Sequence, residues 1–170
     1  MALKYHLTCY DDNFCLKPPI LLWIALVFLS RGVILPLFVG VLSMTGLTAD
    51  AKGILQGLIS LPSVPSSIIG ATVLLAALRR APKASSVMRW IWRHGLVLLA
   101  IAAVGDAVTS LVTAPILRGA TSDTASLGVW APVLAATYDL YFLAYLLTVR
   151  RVRDTFAQFP LPMAAESAST

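Results

Sequence analysis

Between Cys15 and Met44 the chain reads CLKPPILLWIALVFLSRGVILPLFVGVLSM, with one arginine, Arg31, near the middle. That run is longer than the roughly 20 apolar residues a membrane-spanning helix needs. A cation at the centre of a bilayer costs roughly 3 kcal/mol on insertion scales, so a fold built on this stretch must bring a partner to Arg31. Three further apolar segments follow, and two of them carry an aspartate, Asp106 and Asp139. At a rise of about 1.5 Å per residue, Arg31, Asp106 and Asp139 all fall within about one helical turn of the midplane. Inserted unpaired, three charges cost on the order of 8–10 kcal/mol, comparable with a whole domain's stability, so pairing across helices is expected. Two carboxylates against one guanidinium leave a surplus negative charge, which a proton held by one aspartate removes. Such a cluster suits a proton or ion relay, a polar-ligand site, or an ion-pair network that sets helix register.

Of the 170 residues, 58% are hydrophobic and 12% charged, with a mean hydropathy of +0.83. Soluble domains carry about 25% charged residues, so an ordinary soluble fold is excluded. The expected architecture is an all-α integral membrane four-helix bundle. Its spans fall at about 18–44, 54–78, 94–117 and 127–149, between an N-terminal segment 1–17 and a basic amphipathic tail 150–170. Met1 to Lys17 is too polar for the start of a signal peptide and the following run too long, which predicts an uncleaved anchor. Pro36 predicts a kink in span one. Pro62 and Pro65 interrupt span two near its middle, where Ser63, Ser66 and Ser67 can partly satisfy the freed backbone groups. These serines, with Tyr138 of span four, are candidates for lining a polar midplane cavity.

The net charge of +5 does not point to nucleic acid, because the basic residues sit at the ends of apolar segments. With both termini on one side, Lys4, Lys17, Arg79, Arg80, Lys83, Arg89, Arg93, Arg150, Arg151 and Arg153 share that side. Only Lys52 and Arg118 lie opposite, and ten against two predicts both termini in the cytoplasm. Trp90 and Trp92 among the arginines of 79–93 read as an interfacial segment. With Arg79, Arg80, Lys83, Arg89, Arg93, Arg150, Arg151 and Arg153 they are candidates for contact with anionic headgroups. Val152, Phe156 and Phe159 at helical spacing predict a short amphipathic helix on the membrane surface.

Two cysteines make no disulfide framework, and His6, Cys9 and Cys15 (H-x2-C-x5-C) match no standard zinc spacing. No histidine lies inside a span, which argues against bis-histidine haem. No C-x-x-C, P-loop, G-x-S-x-G or H-E-x-x-H motif occurs, so no familiar enzyme class is indicated. No metal and no cofactor are expected.

Tyr10-Asp11, Cys15-Leu16-Lys17-Pro18-Pro19, Leu22-Trp23 and Phe28-Leu29-Ser30-Arg31-Gly32 resemble the opening of the YfeZ-like family of small bacterial inner-membrane proteins. Arg150-Arg151-Val152-Arg153-Asp154-Thr155-Phe156 with Phe159-Pro160 is similar to how that family ends, while Cys15 stands where its pattern has glycine. The resemblance implies a four-span bacterial inner-membrane protein (domain of unknown function 2919) and brings no activity and no binding residues. Three readings of function follow. The first is a non-enzymatic accessory or scaffold subunit, with a membrane-protein partner or further copies of itself. The alternative is a small transporter or proton- or ion-coupled protein using Arg31, Asp106 and Asp139. A small pore-forming oligomer is third.

Overall fold

The computed structural model describes residues 5–11, 15–43, 64–81, 84–114 and 127–160. The expectations placed on Pro62, Ser63, Lys83 and the tail beyond residue 160 lie outside the described residues. Among the described residues the regular structure is helical, apart from one antiparallel bridge between Tyr10 and Leu16. We number the helices α1 (Ile20–Leu29), α2 (Arg31–Ser43), α3 (Val64–Leu78), α4 (Ser86–Thr113), α5 (Leu127–Thr148) and α6 (Arg150–Ala157).

Four spans were expected, the first kinked at Pro36 and the second interrupted near its middle, and the helices divide differently. Ser86–Thr113 and Trp130–Thr148 are each long and apolar enough to cross a membrane. Ile20–Leu29 and Arg31–Val41 qualify only as a pair, bent by 71°, and α3 is shorter. The described residues therefore offer two such helices, or three if the bent pair counts as one. Ser85 caps α4, its hydroxyl accepting from the Met88 N–H at 3.4 Å, so the helix begins at Ser86, two turns ahead of the start expected for span three.

The bend between α1 and α2 lies at Ser30, not at Pro36. A helix continuing through this point would pair the Gly32 N–H with the Phe28 carbonyl. Instead the Ser30 hydroxyl donates to the Leu26 carbonyl at 2.6 Å, a back-bond that bends helices. The Gly32 N–H goes to the Ser67 hydroxyl of α3 at 3.1 Å, and Val33 and Ile34 both donate to the Ser30 carbonyl, starting α2 afresh. Pro36 is then accommodated inside α2. The serine-glycine pair around Arg31 breaks the helix; the proline does not.

Side-chain size along α3 and α4 runs opposite to that of a soluble helix. In α4 the buried face carries Leu99, Ala102, Ala103, Asp106, Ala107 and Ser110, while Val97, Ile101, Val104, Val108 and Val112 are exposed. In α3 the buried face carries Ser66, Ser67, Gly70, Val73, Ala76 and Ala77, and Ile68, Leu75 and Leu78 are exposed. Small and polar residues inside, with large apolar ones outside, let backbones approach closely and suit surroundings as apolar as leucine.

Three helices gather on α4: α3 and α5 run along it, and α6 packs against it and α5. α1 and α2 pack chiefly on α3. An apolar core joins Leu22, Leu26 and Leu29 of α1 to Val73, Trp92, Leu99, Leu146, Val152 and Phe156. Gly70 lets α3 approach the end of α1, because a Cβ there would stand 3.0 Å from both the carbonyl carbon and the Cβ of Leu29. Gly105 has nothing within 4 Å of the same position. Gly70→Ala is expected to lower stability by about 1–3 kcal/mol, the usual cost of overpacking. Gly105→Ala should be neutral or gain up to about 1 kcal/mol from helix propensity. Thermal unfolding of the two variants in one detergent checks the contrast.

Candidate functional site

Arg31 is the first residue of α2, and the break turns its side chain toward α4. Its Nη2 lies 2.6 Å from Oδ2 of Asp106, whose side chain is 0% exposed against 18% for Arg31. Its Nη1 donates to the Phe28 carbonyl at 3.2 Å. That is the carbonyl which lost its helical donor at the bend. The guanidinium also sits over the Phe28 ring, 4.2 Å from its centroid, and that ring meets Tyr138 at 5.5 Å and Phe142 at 5.7 Å from α5. The break thus exchanges one backbone hydrogen bond for two new ones, from Gly32 to Ser67 and from Arg31 to Phe28. It places a cation beside a carboxylate in the same step.

Asp139 is completely buried on α5 and lies beside the Asp106 carboxyl, within reach of Arg31's charge. Neither of its oxygens meets a hydrogen-bond donor among the described residues. An ionised carboxylate only accepts, so two of them side by side cannot satisfy each other; a proton on one supplies the missing donor. The three charged residues read from the sequence are therefore brought together, with Arg31 committed to Asp106 and Asp139 left over.

The remaining midplane candidates divide. Ser66 and Ser67 are buried, and Ser67 caps the broken helix. Tyr138 does not line an internal cavity. It is 54% exposed, and with Leu134, Thr137 and Tyr141 it lines a shallow groove of about 270 Å³ on the outer surface of α5. Successive helical residues point about 100° apart, so with Asp139 turned inward its neighbour Tyr138 turns out.

The headgroup candidates divide as well. Arg79, Trp90, Arg93, Arg150 and Arg153 are exposed, and Arg151 is half-buried. Arg89 holds the Ala84 carbonyl through Nε at 3.3 Å and Nη2 at 3.2 Å. Trp92 and Arg80 are corrections. Trp92 is fully buried, its indole N–H shared between the carbonyls of Thr155 (3.2 Å) and Gln158 (3.1 Å), with the Phe156 ring at 4.7 Å. A buried indole whose N–H finds carbonyls belongs to a core. Arg80 donates to the Leu16 carbonyl at 2.7 Å and the Gln158 carbonyl at 3.1 Å, its guanidinium 5.1 Å from the Trp92 ring.

These bonds close one end of the structure. Tyr5 donates to the Asp154 carboxylate at 2.6 Å, and the Leu16 N–H to the Gln158 side chain at 2.9 Å. The N-terminal residues around the Tyr10–Leu16 bridge, the residues between α3 and α4, and α6 thus share an end, which carries the basic residues described there. The interfacial helix expected at 150–159 is α6, packed against α4 and α5 with Val152, Thr155 and Phe156 buried. Cys15 is buried in this end. Burial pushes its thiol above the usual range, and the neighbouring Arg80 pulls it partly back; burial likewise lowers Arg80.

A raised thiol favours the neutral form in the fold. That contribution is present below the ordinary thiol pKa of about 8.5 and is lost as pH rises through the raised value. Iodoacetamide should therefore label Cys15 more slowly than the partly exposed Cys9 at pH 8, with the gap closing in denaturant. Mass mapping of the two peptides reads this directly.

For the ion pair, Arg31→Met is expected to cost about 3–5 kcal/mol, because it strands a buried carboxylate. Arg31→Met combined with Asp106→Asn and Asp139→Asn should recover much of that loss. Equal accumulation of the single and combined variants in the membrane would rule the pairing out.

The family model described as "Protein of unknown function (DUF2919)" matches residues 5–59, about a third of the chain. The match takes in the residues around the Tyr10–Leu16 bridge, α1, α2 and Arg31, and stops before Asp106 and Asp139. It bears out the resemblance read from Tyr10 to Gly32, to a family of unknown function. No curated protein and no solved structure matches.

Proposed function

We propose that this chain is a small multi-pass bacterial inner-membrane protein, without enzymatic activity, whose Arg31–Asp106–Asp139 cluster holds one exchangeable proton at the centre of its helices. The membrane reading is supported by the inverted faces of α3 and α4, where Val97, Ile101, Val104 and Val108 look outward and Ala103, Asp106 and Ser110 inward. In this reading α1–α2 is a broken first span, the helices form a four-span bundle, and the basic end with both termini faces the cytoplasm.

The observation that carries the proton is Asp139. A structural ion pair needs one carboxylate for Arg31, and Asp106 supplies it at 2.6 Å. A second carboxylate, fully buried and without a donor among the described residues, adds desolvation cost and no bond unless a proton sits on the pair. Ionisable groups inside membrane segments serve characteristically as proton relays and ion sites. Losing the proton adds a charge beside Arg31, which pairs with Asp106 and donates to the Phe28 carbonyl next to the 71° bend.

Infrared difference spectroscopy of the protein in nanodiscs, between pH 5 and 9, tests this. At neutral pH a protonated-carboxyl band that shifts in D2O and disappears in Asp139→Asn is expected. If both carboxyls absorb as carboxylates throughout, the cluster is a lock on helix register. The accessory-subunit role, with one dominant membrane-protein partner co-purifying in mild detergent, then takes its place.

A further inference from the structure

The basic end contains a hollow of about 510 Å³ that the proton cluster does not use. Its apolar lining includes Trp92, Phe156 and Phe159, with Cys15 beside them, and it also carries Arg89 and Arg93. Trp92 and Phe156 are held in place. The indole N–H is bound to α6, and the Phe156 ring fills the space over Gly95, where a Cβ would come within 2.5 Å of it. Arg89 spends Nε and Nη2 on the Ala84 carbonyl, whereas Arg93 is exposed and its guanidinium has no partner among the described residues.

Depth identifies the occupant. At about 1.5 Å per residue α4 is about 42 Å long, some 12 Å more than a hydrocarbon core of about 30 Å. With Val97 to Val112 facing outward in the apolar layer, the excess falls on Ser86–Arg93, the turns that carry both arginines. Trp90 is exposed on the same turns, in ring contact with His94 at 4.6 Å, as suits the headgroup layer. A hollow at that depth, apolar inside and cationic at Arg89 and Arg93, matches a molecule with an anionic head and an apolar shoulder. We infer that this hollow is a binding site for one anionic phospholipid, its phosphate between Arg89 and Arg93 and its glycerol and upper acyl carbons against Phe156 and Phe159. The site rests on the membrane reading and not on the proton, so it stands or falls separately from Asp139.

The test is native mass spectrometry of the full chain in a neutral detergent, titrated with phosphatidylglycerol and, separately, phosphatidylcholine. One phosphatidylglycerol per chain should bind saturably and in preference to phosphatidylcholine. A basic residue near an anionic surface contributes about fivefold in affinity, so Arg93→Gln should weaken the site about fivefold or more. Lys17→Gln, at an exposed lysine outside the hollow, should leave it nearly unchanged. Equal losses in the two variants without a saturating first lipid would overturn the site in favour of a diffuse basic surface. Displacement by millimolar inorganic phosphate, with no preference between the two lipids, would overturn it in favour of a soluble phosphate ligand.

Discussion

A guanidinium among packed apolar helices must be paired where it stands, and the helix that carries Arg31 is broken at that point. The two facts are linked through the backbone. Interrupting the helix at Ser30 frees the Phe28 carbonyl and the Gly32 N–H, two groups that cannot remain unsatisfied in an apolar setting. Arg31 takes the carbonyl and Ser67 takes the N–H, so the break is stabilised by the charge and by the neighbouring helix. With Nη2 on Asp106, one arginine ties α1, α2 and α4 together. The close approach of α3 at Gly70, directly against Leu29, keeps Ser67 within reach.

The rest of the fold forms two tiers around that junction. Toward the basic end the contacts are large and apolar: Leu22, Leu26, Leu99, Leu146, Val152 and Phe156 around Trp92. There the polar groups are backbone carbonyls gathered by Arg80 and the Trp92 indole. At the level of Arg31 the inner faces turn small and polar, with Ser66, Ser67, Asp106, Ser110 and Asp139 buried together in place of hydrocarbon. The first tier clasps both ends of the described chain. The second holds the surplus carboxyl on which the proposed proton depends.

Particular residues show how much of this was legible beforehand. The convergence of Arg31, Asp106 and Asp139 could be read because the insertion cost of a charge is larger than any local preference, and depth follows from counting residues. The bend could not be placed that way. Pro36 is the stronger breaker by propensity, yet Ser30 and Gly32 win because a hydroxyl on α3 and a guanidinium on α2 are there to receive the freed groups. The burial of Trp92 is hidden in the sequence for a similar reason. Among arginines it looks interfacial, but it lies on the face of α4 that α6 covers, and two carbonyls accept its N–H. Ser85 as a helix cap was available in the sequence, since serine just ahead of a helical run is a start signal.

Composition, the length of the apolar runs and the asymmetry of lysine and arginine determine by themselves that this is a helical chain rich in apolar helices, with charges that must find one another. Those properties depend on transfer free energies, which sum over residues whatever their partners. The tertiary structure decided which aspartate Arg31 takes, where the first helix breaks, that Tyr138 faces out, and that Trp92 and Arg80 bind the two ends of the described chain together. The ion pair, the Gly32–Ser67 bond and the bonds of Trp92 and Arg80 join residues far apart in sequence and exist only once the helices have packed, and Tyr138 faces out because that packing turns Asp139 inward.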